Sequence, residues 1–333
     1  MQSNNNWIDP DFETHLIREC VGKAEIRHLK SGINSAIYLV DDGSNKYVLK
    51  RYKENRLGAN GRLNREYHFL YQLNKHNILC VPKPIAIDQT SNAALYSYLD
   101  GEHIGLPAVS DIKQAAEFIE KLERVSISVL LGEFENAAES CFSILEHLDC
   151  VESRIRLLAA SKGPIPYRQD VKEFACQDLG TAFDTERRNL MREYVGVAAV
   201  RLDRSLRILS PSDFGFRNIL KQSNTLYFLD FEYAGWDDPA KLICDFIVRP
   251  DHNLSQGDKQ LFVQKLAVFL PDDEVVHRAR TLERLYQIKW CCILLNSFLD
   301  GYKVSSQECY NDEKLWKKVN KAADLLKKGI VSG

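Results

Sequence analysis

The sequence predicts an α+β chain. A five-stranded antiparallel sheet with one main helix occupies residues 1–100, and a mostly helical part occupies residues 101–333. Short alternating apolar runs, separated by turns rich in Gly, Asn and Asp, fill residues 25–99. From residue 109 onward the apolar residues mostly recur with helical spacing. Within that helical part, residues 209–238 hold two apolar runs joined by a polar turn, which read as a hairpin. At 333 residues and 45% hydrophobic content, the chain can build two domains or one large two-lobed one.

Residues 10–21 read as a short amphipathic helix with Phe12, Leu16 and Ile17 on one face. Strands follow at 25–29, 36–41 and 46–52, the last two joined by Asp42-Gly43-Ser44-Asn45, a strong hairpin turn. The preceding turn, 30–35, holds Gly32, Asn34 and Ser35, whose backbone N–H groups could cover phosphates. Taken alone it also reads as an ordinary hairpin turn. Lys50 shares a strand face with Val48, so it either points into a cleft or is a solvated edge lysine. A helix over 60–73 carries Leu63, Tyr67, Leu70 and Tyr71 on one stripe, with Glu66 beside it. Glu66 would pair with Lys50, or locally with Arg62 at i−4. Strands at 85–88 and 93–99 close the sheet. Tyr98-Leu99-Asp100-Gly101 then reads as a hinge, where backbone at Ser97 and Leu99 could meet an adenine edge. Helices are expected near 110–130, 137–161, 180–206, 256–270, 273–299 and 311–329. Another is expected to start with Asp238 as cap and Pro239 in its first turn. Asp245, two turns inside it, would either buttress a neighbouring loop or face solvent.

A net charge of −2 gives no global reason to expect nucleic acid or an anionic membrane as partner. Nine cysteines, an odd number with no C-x-x-C pair, read as reduced thiols of a cytoplasmic protein without a zinc site. The N-terminal residues lack a signal segment, and the apolar stretch 290–299 is too short to span a bilayer. The lysines between 314 and 328 read as a solvated helix face.

The chemistry concentrates in residues 213–232. Asp213 and Asn218 are five positions apart, and the hairpin delivers Asp230 beside Asn218. Asp-x-x-x-x-Asn followed by a post-hairpin Asp suits phosphoryl transfer. One carboxylate deprotonates a hydroxyl, while an amide oxygen and a second carboxylate hold magnesium ions on a triphosphate.

In this order and spacing, Gly32 with Asn34-Ser35, Lys50, Glu66, the 98–101 hinge, Asp213, Asn218, Asp230 and Asp238-Pro239 resemble the aminoglycoside phosphotransferase and choline kinase-like family. The resemblance spans about residues 25–250. It implies a two-lobed protein-kinase-like fold that uses ATP or GTP with Mg2+ to phosphorylate a hydroxyl of a small metabolite such as an amino sugar, sugar or choline. Asp213 would be the base, Asn218 and Asp230 the metal ligands, and Lys50 the phosphate anchor oriented by Glu66. One departure stands out: the family's His-Gly-Asp is Pro211-Ser212-Asp213 here. Arg217 would contact a phosphate or acidic substrate, or pair with Asp237 or Asp245. Tyr233, Trp236 and Trp290 either box a quaternary amine or belong to the core. The alternative from another class is a catalytically inactive nucleotide-binding pseudokinase or scaffold. A protein kinase is disfavoured, because no Ala-Pro-Glu segment or long activation segment follows Asp230.

Overall fold

Two hairpins begin the sheet because their turns satisfy themselves. In the second, the Asp42 carboxylate accepts from the Ser44 and Asn45 amides at 2.8 and 2.7 Å, and Gly43 takes the φ of +86° that such a turn needs. The computed structural model describes residues 10–53, 61–128, 134–162, 164–270, 274–300 and 312–328, with side chains from residue 15. The side chain of Phe12, the expected helix start at residue 60 and the expected helix ends at 130, 273, 311 and 329 lie outside them. Compactness divides the chain into two units. The first is Met1–Ile104 with Arg217–Ala234, and the second is Gly105–Phe216 with Gly235–Gly333.

The first unit starts with α1 (Pro10–Cys20), followed by strands β1 (Glu25–Ser31), β2 (Ser35–Asp41) and β3 (Lys46–Tyr52). Helix α2 (Gly61–Lys75) precedes β4 (Pro84–Asp88), β5 (Ala93–Ser97) and the two-residue β6 (Glu102–His103). The five long strands form the expected antiparallel sheet, in the order β1-β2-β3-β5-β4. Leu16 and Ile17 of α1 pack on one face of it with Tyr38, Val40, Leu49 and Leu95. On α2 the buried stripe is Leu63, Glu66, Phe69, Leu70 and Leu73, rotated from the expected one, and Tyr71 is exposed. The rotation follows from the Glu66 carboxylate, which is drawn inward to Lys50.

The second unit opens with α3 (Val109–Ser128), α4 (Ile144–Ala160), α5 (Arg168–Phe174) and α6 (Gly180–Glu193), the last two joined by a π-helical stretch. Helix α4 begins later than its apolar spacing suggests. Asn136 instead bridges to Trp236, and the Ala137 amide donates to the Trp236 carbonyl at 2.9 Å. Helix α6 stops at Glu193 rather than near 206, ahead of Gly196 at φ +79° and three valines that favour helix poorly. A short strand, β7 (Ile208–Ser210), leads into the loop carrying Asp213.

The chain then returns to the first unit as the expected hairpin, β8 (Ile219–Gln222) and β9 (Thr225–Phe228), closed by Ser223-Asn224 with Ser223 at φ +54°. β6 pairs with β8, and the Phe228 amide donates to the Cys80 carbonyl. These bonds are why residues 217–234, expected within the second domain, cluster with the first. β10 (Gly235–Asp237), which pairs with β7, and helices α7 (Pro239–Ile247), α8 (Gln256–Ala267), α9 (Val275–Leu294) and α10 (Asp312–Lys328) complete the second unit. Asp238 caps α7 as expected, accepting from the Ala240 amide at 2.7 Å. Helix α9 is largely buried, and α10 buries Leu315, Ala322 and Leu326 while its lysines line the outer face. Among the described residues, no helix is long and apolar enough to cross a membrane, and the eight described cysteines are free.

Candidate active site

In the first unit the site is built around Lys50. β3 delivers its ammonium to a buried position, where it donates to Glu66 Oε2 at 2.7 Å and to Asp230 Oδ1 at 2.6 Å; Glu232 Oε2 lies 3.5 Å away. Lys50 is therefore not a solvated edge lysine, and Glu66 pairs with it rather than with Arg62. Burial alone would depress the Lys50 ammonium, but Asp230, Glu66 and Glu232 outweigh it and hold Lys50 well above its ordinary value. The Tyr52 hydroxyl also donates to Glu66 Oε2 at 2.7 Å, and Tyr52 in turn meets the Tyr96 hydroxyl.

Asp230 reaches Lys50 because β9 ends at Phe228, two residues before it. The Leu229 amide closes the hairpin on the Asn218 carbonyl at 2.9 Å, and Asp230 then turns at φ +68°. Asn218 and Asp230 thus leave the hairpin from adjacent backbone, as expected. Phe231, the next residue, stacks on Phe69 of α2 with centroids 5.3 Å apart, a pairing worth about 0.5–1.5 kcal/mol beyond its buried area. Its amide donates to Glu66 Oε1.

Glu232 joins the site although the sequence reading gives it no role. Burial pushes its carboxyl up to about 7, with Asp230 and Glu66 adding to the effect and Lys50 and Arg62 opposing it. Its Oε2 accepts no hydrogen bond. Glu66, Asp230 and Glu232 each offer one carboxylate oxygen, all within 4.8 Å of one another. An under-satisfied set of hard oxygen donors suits Mg2+. The signal was present in the sequence as the second acid of Asp230-Phe231-Glu232.

The turn between β1 and β2 is fastened to the same residues. The Asn34 amide nitrogen donates to Glu232 Oε1 at 2.6 Å and to the Tyr233 hydroxyl at 2.7 Å. The Gly32 amide is spent on the Ser35 carbonyl at 2.8 Å, and Ser35 is buried in β2, so Asn34 is the member of this turn tied to the site. At the hinge, the Ser97 amide donates to the Lys83 carbonyl at 2.9 Å, which removes it as an open donor; Leu99 lies beyond the strand end, half-buried.

Asp213 lies in the second unit. Ser212 before it stands at φ +65°, a left-handed conformation that costs a non-glycine residue roughly 1 kcal/mol, and the Asp213 amide donates to the Pro211 carbonyl. Arg249, just past α7, donates from Nη1 to Asp213 Oδ1 at 2.7 Å and from Nε to Asp251 at 3.0 Å. His252 accepts from the Phe216 amide at Nε2 (3.2 Å) and donates from Nδ1 to the Phe246 carbonyl (2.9 Å). Burial, then the Arg249 charge, drives His252 down to about 3, so the ring is neutral. Asp237 and Asp245, expected to pair with Arg217 or to brace the loop, are bound instead by the ammonium groups of Lys241 and Lys289. Two of the three aromatic faces considered for a quaternary amine already hold protein cations, Arg62 over Tyr233 and Arg249 over Trp290, and Trp236 is buried.

Residues 25–149 match the model of the phosphotransferase enzyme family, the family side of the resemblance read from the motifs. No curated protein matches the chain by sequence. Among solved structures, a spectinomycin phosphotransferase in complex with ADP and spectinomycin superposes with a TM-score of 0.65 at 13% identity, covering 95% of this chain and 98% of that one. A choline kinase from Cryptosporidium parvum Iowa II gives 0.61 at 14%, covering 97% and 98%. A Plasmodium vivax ethanolamine kinase gives 0.59 at 14%, covering 95% and 85%. The chain therefore has the kinase-like α+β fold that its motifs imply.

Proposed function

We propose, taking the phosphotransferase match over residues 25–149 as premise, that this chain is a small-molecule kinase. It would move the γ-phosphoryl of ATP, or of GTP, to a hydroxyl of a small metabolite. The observation that carries this reading is the buried Lys50 bonded at once to Glu66 and Asp230. An ammonium held this way is a fixed charge with a defined direction, which is what anchoring the α/β-phosphates requires. Glu66 orients it, and the Asn34 tether sets the turn that would lie over the phosphates.

Asp213 is assigned as the base that takes the proton of the acceptor hydroxyl. Asn218 and Asp230 would hold Mg2+, with the Glu232 carboxylate completing an oxygen-rich donor set. When bound, the metal would supply charge neutralisation on the phosphates. The Ser97–Leu99 stretch remains the proposed adenine contact, with Leu99 as its donor. The structurally similar proteins act on spectinomycin, choline or ethanolamine, so the acceptor is sought among small alcohols and amino alcohols. With Arg62 and Arg249 already occupying aromatic faces, neutral sugars and hydroxy acids belong in the panel beside cationic alcohols.

The test couples ADP release to a panel of amino sugars, sugars, choline and homoserine. Magnesium-ATP should raise the melting temperature, and Asp230→Ala should abolish the rise. Asp213→Asn should keep the rise yet lower turnover by about 10²–10⁴, the usual worth of a general base. Undiminished turnover in Asp213→Asn would overturn the assignment.

A further inference from the structure

The loop that carries Asp213 has short ties of its own: the Ser212 amide donates to the Ser210 hydroxyl at 3.0 Å and the Asp213 amide to the Pro211 carbonyl at 2.9 Å. Pro211 stands where the resembling family has His, and Ser212 takes a left-handed conformation natural to the glycine usual at that position. Contacts from outside the loop add to these ties. Three contacts of one short segment do so. Arg249 Nη1 reaches Asp213 Oδ1 at 2.7 Å and also the Phe214 carbonyl at 3.4 Å. His252 Nε2 takes the Phe216 amide at 3.2 Å. Both side chains are buried, Arg249 beneath the face of Trp290 with Cζ 4.8 Å from the ring centroid. They close on the loop only because residue 215 is glycine: a Cβ there would lie 2.6 Å from His252 Nε2 and 2.8 Å from Arg249 Nε.

We propose that Arg249 is the positioning residue of Asp213, and that Arg249 and His252 together supply from the end of α7 the brace that the loop lacks at Pro211. The proposal rests on the reading of Asp213 as the base. A buried guanidinium N–H bonded to one carboxylate oxygen restricts rotation of the carboxyl group, and so narrows the direction of its other oxygen. A carboxylate left to rotate would spend little time aimed at an acceptor, and misplacement by about 1 Å costs roughly 10²-fold in rate. Lysine in place of Arg249 would keep the charge and lose the second N–H that holds the guanidinium on Asp251.

The test is a double-mutant cycle on Arg249 and Asp213, read as ADP release from magnesium-ATP with water as acceptor. Arg249→Met should lower kcat about 10²-fold and leave KM for magnesium-ATP and the nucleotide-induced thermal shift near wild type, because it acts on the chemical step. Arg249→Lys should recover part of kcat. In the Asp213→Asn background, Arg249→Met should cause no further loss, since it acts through the missing carboxylate. Additive losses, or an effect confined to KM, would overturn the proposal. If Arg249→Met does not fold, Arg249→Lys enters the same cycle: non-additive losses support the proposal and additive ones overturn it. If the wild type neither releases ADP nor responds to magnesium-ATP, the kinase reading falls. The catalytic part of the proposal falls with it, and the urea-unfolding version of the cycle judges the brace alone: about tenfold non-additivity in the unfolding equilibrium supports it, and additivity overturns it.

Discussion

Acid should loosen the second unit at His252 first. The ring is 1% exposed and packs edge-on to Phe216 and Phe246, with centroids 5.0 and 4.7 Å away. A second proton would have to go onto Nε2, the atom that accepts from the Phe216 amide, beside the Arg249 guanidinium. Burial and that charge hold the ring down to about 3, against 6.5 in the unfolded chain, while Asp251, the Phe246 carbonyl and Asp213 pull weakly the other way. Between those values the unfolded chain binds a proton that the folded one refuses. The stability His252 contributes is therefore fully present above 6.5 and is lost as pH falls toward 3, by roughly 1.4 kcal/mol per unit. At about pH 5 the loss is roughly 2 kcal/mol, a large share of a marginal total. Urea unfolding of the wild type and His252→Gln at about pH 7.5 and pH 5 measures it, since other titrating groups cancel between the two proteins. The stability gap between them should shrink by roughly 2 kcal/mol on acidification. A gap independent of pH, or an imidazole that titrates by NMR near 6.5, would refute the reasoning.

Gly215→Ala should cost about 1–3 kcal/mol, because its methyl would sit 2.6 Å from His252 Nε2; an unchanged urea midpoint would contradict this. Lys50→Met leaves Glu66 and Glu232 buried without their cation and should destabilise by about 3–5 kcal/mol while abolishing the thermal response to magnesium-ATP. A Lys50→Met protein that melts like wild type would show that the three carboxylates do not depend on Lys50.

Much of this was readable from residue order because the turns are local. Asp42-Gly43-Ser44-Asn45 closes on itself, Asp238-Pro239 caps α7, and the polar turn after Gln222 fixes the hairpin, so strands and their register needed no distant information. The Lys50–Glu66 pair was legible for a similar reason, since a lysine on an apolar strand face and a glutamate beside an apolar helix stripe each need a buried partner. Apart from the early stop of α6, which is local, the misses have the opposite cause. The helix expected from residue 137 starts only at Ile144, because Ala137 is recruited by Trp236, about a hundred positions away. Arg249 and His252 are bland in sequence and gain their role only from where the end of α7 meets Gly215. Glu232 was visible as a letter, and its importance is electrostatic, set by burial beside two other acids.

The cage around Lys50 also carries a consequence for how a polyphosphate could arrive. Glu66, Asp230 and Glu232 face the cations Lys50 and Arg62, so once Glu232 is ionised the cluster is left with an excess of one formal negative charge. A bare triphosphate would add several more at close range and be repelled. Under the proposed function, only a nucleotide that brings its own counter-ions would settle there, and the cluster would filter out uncomplexed ATP as well as anchor the complexed form.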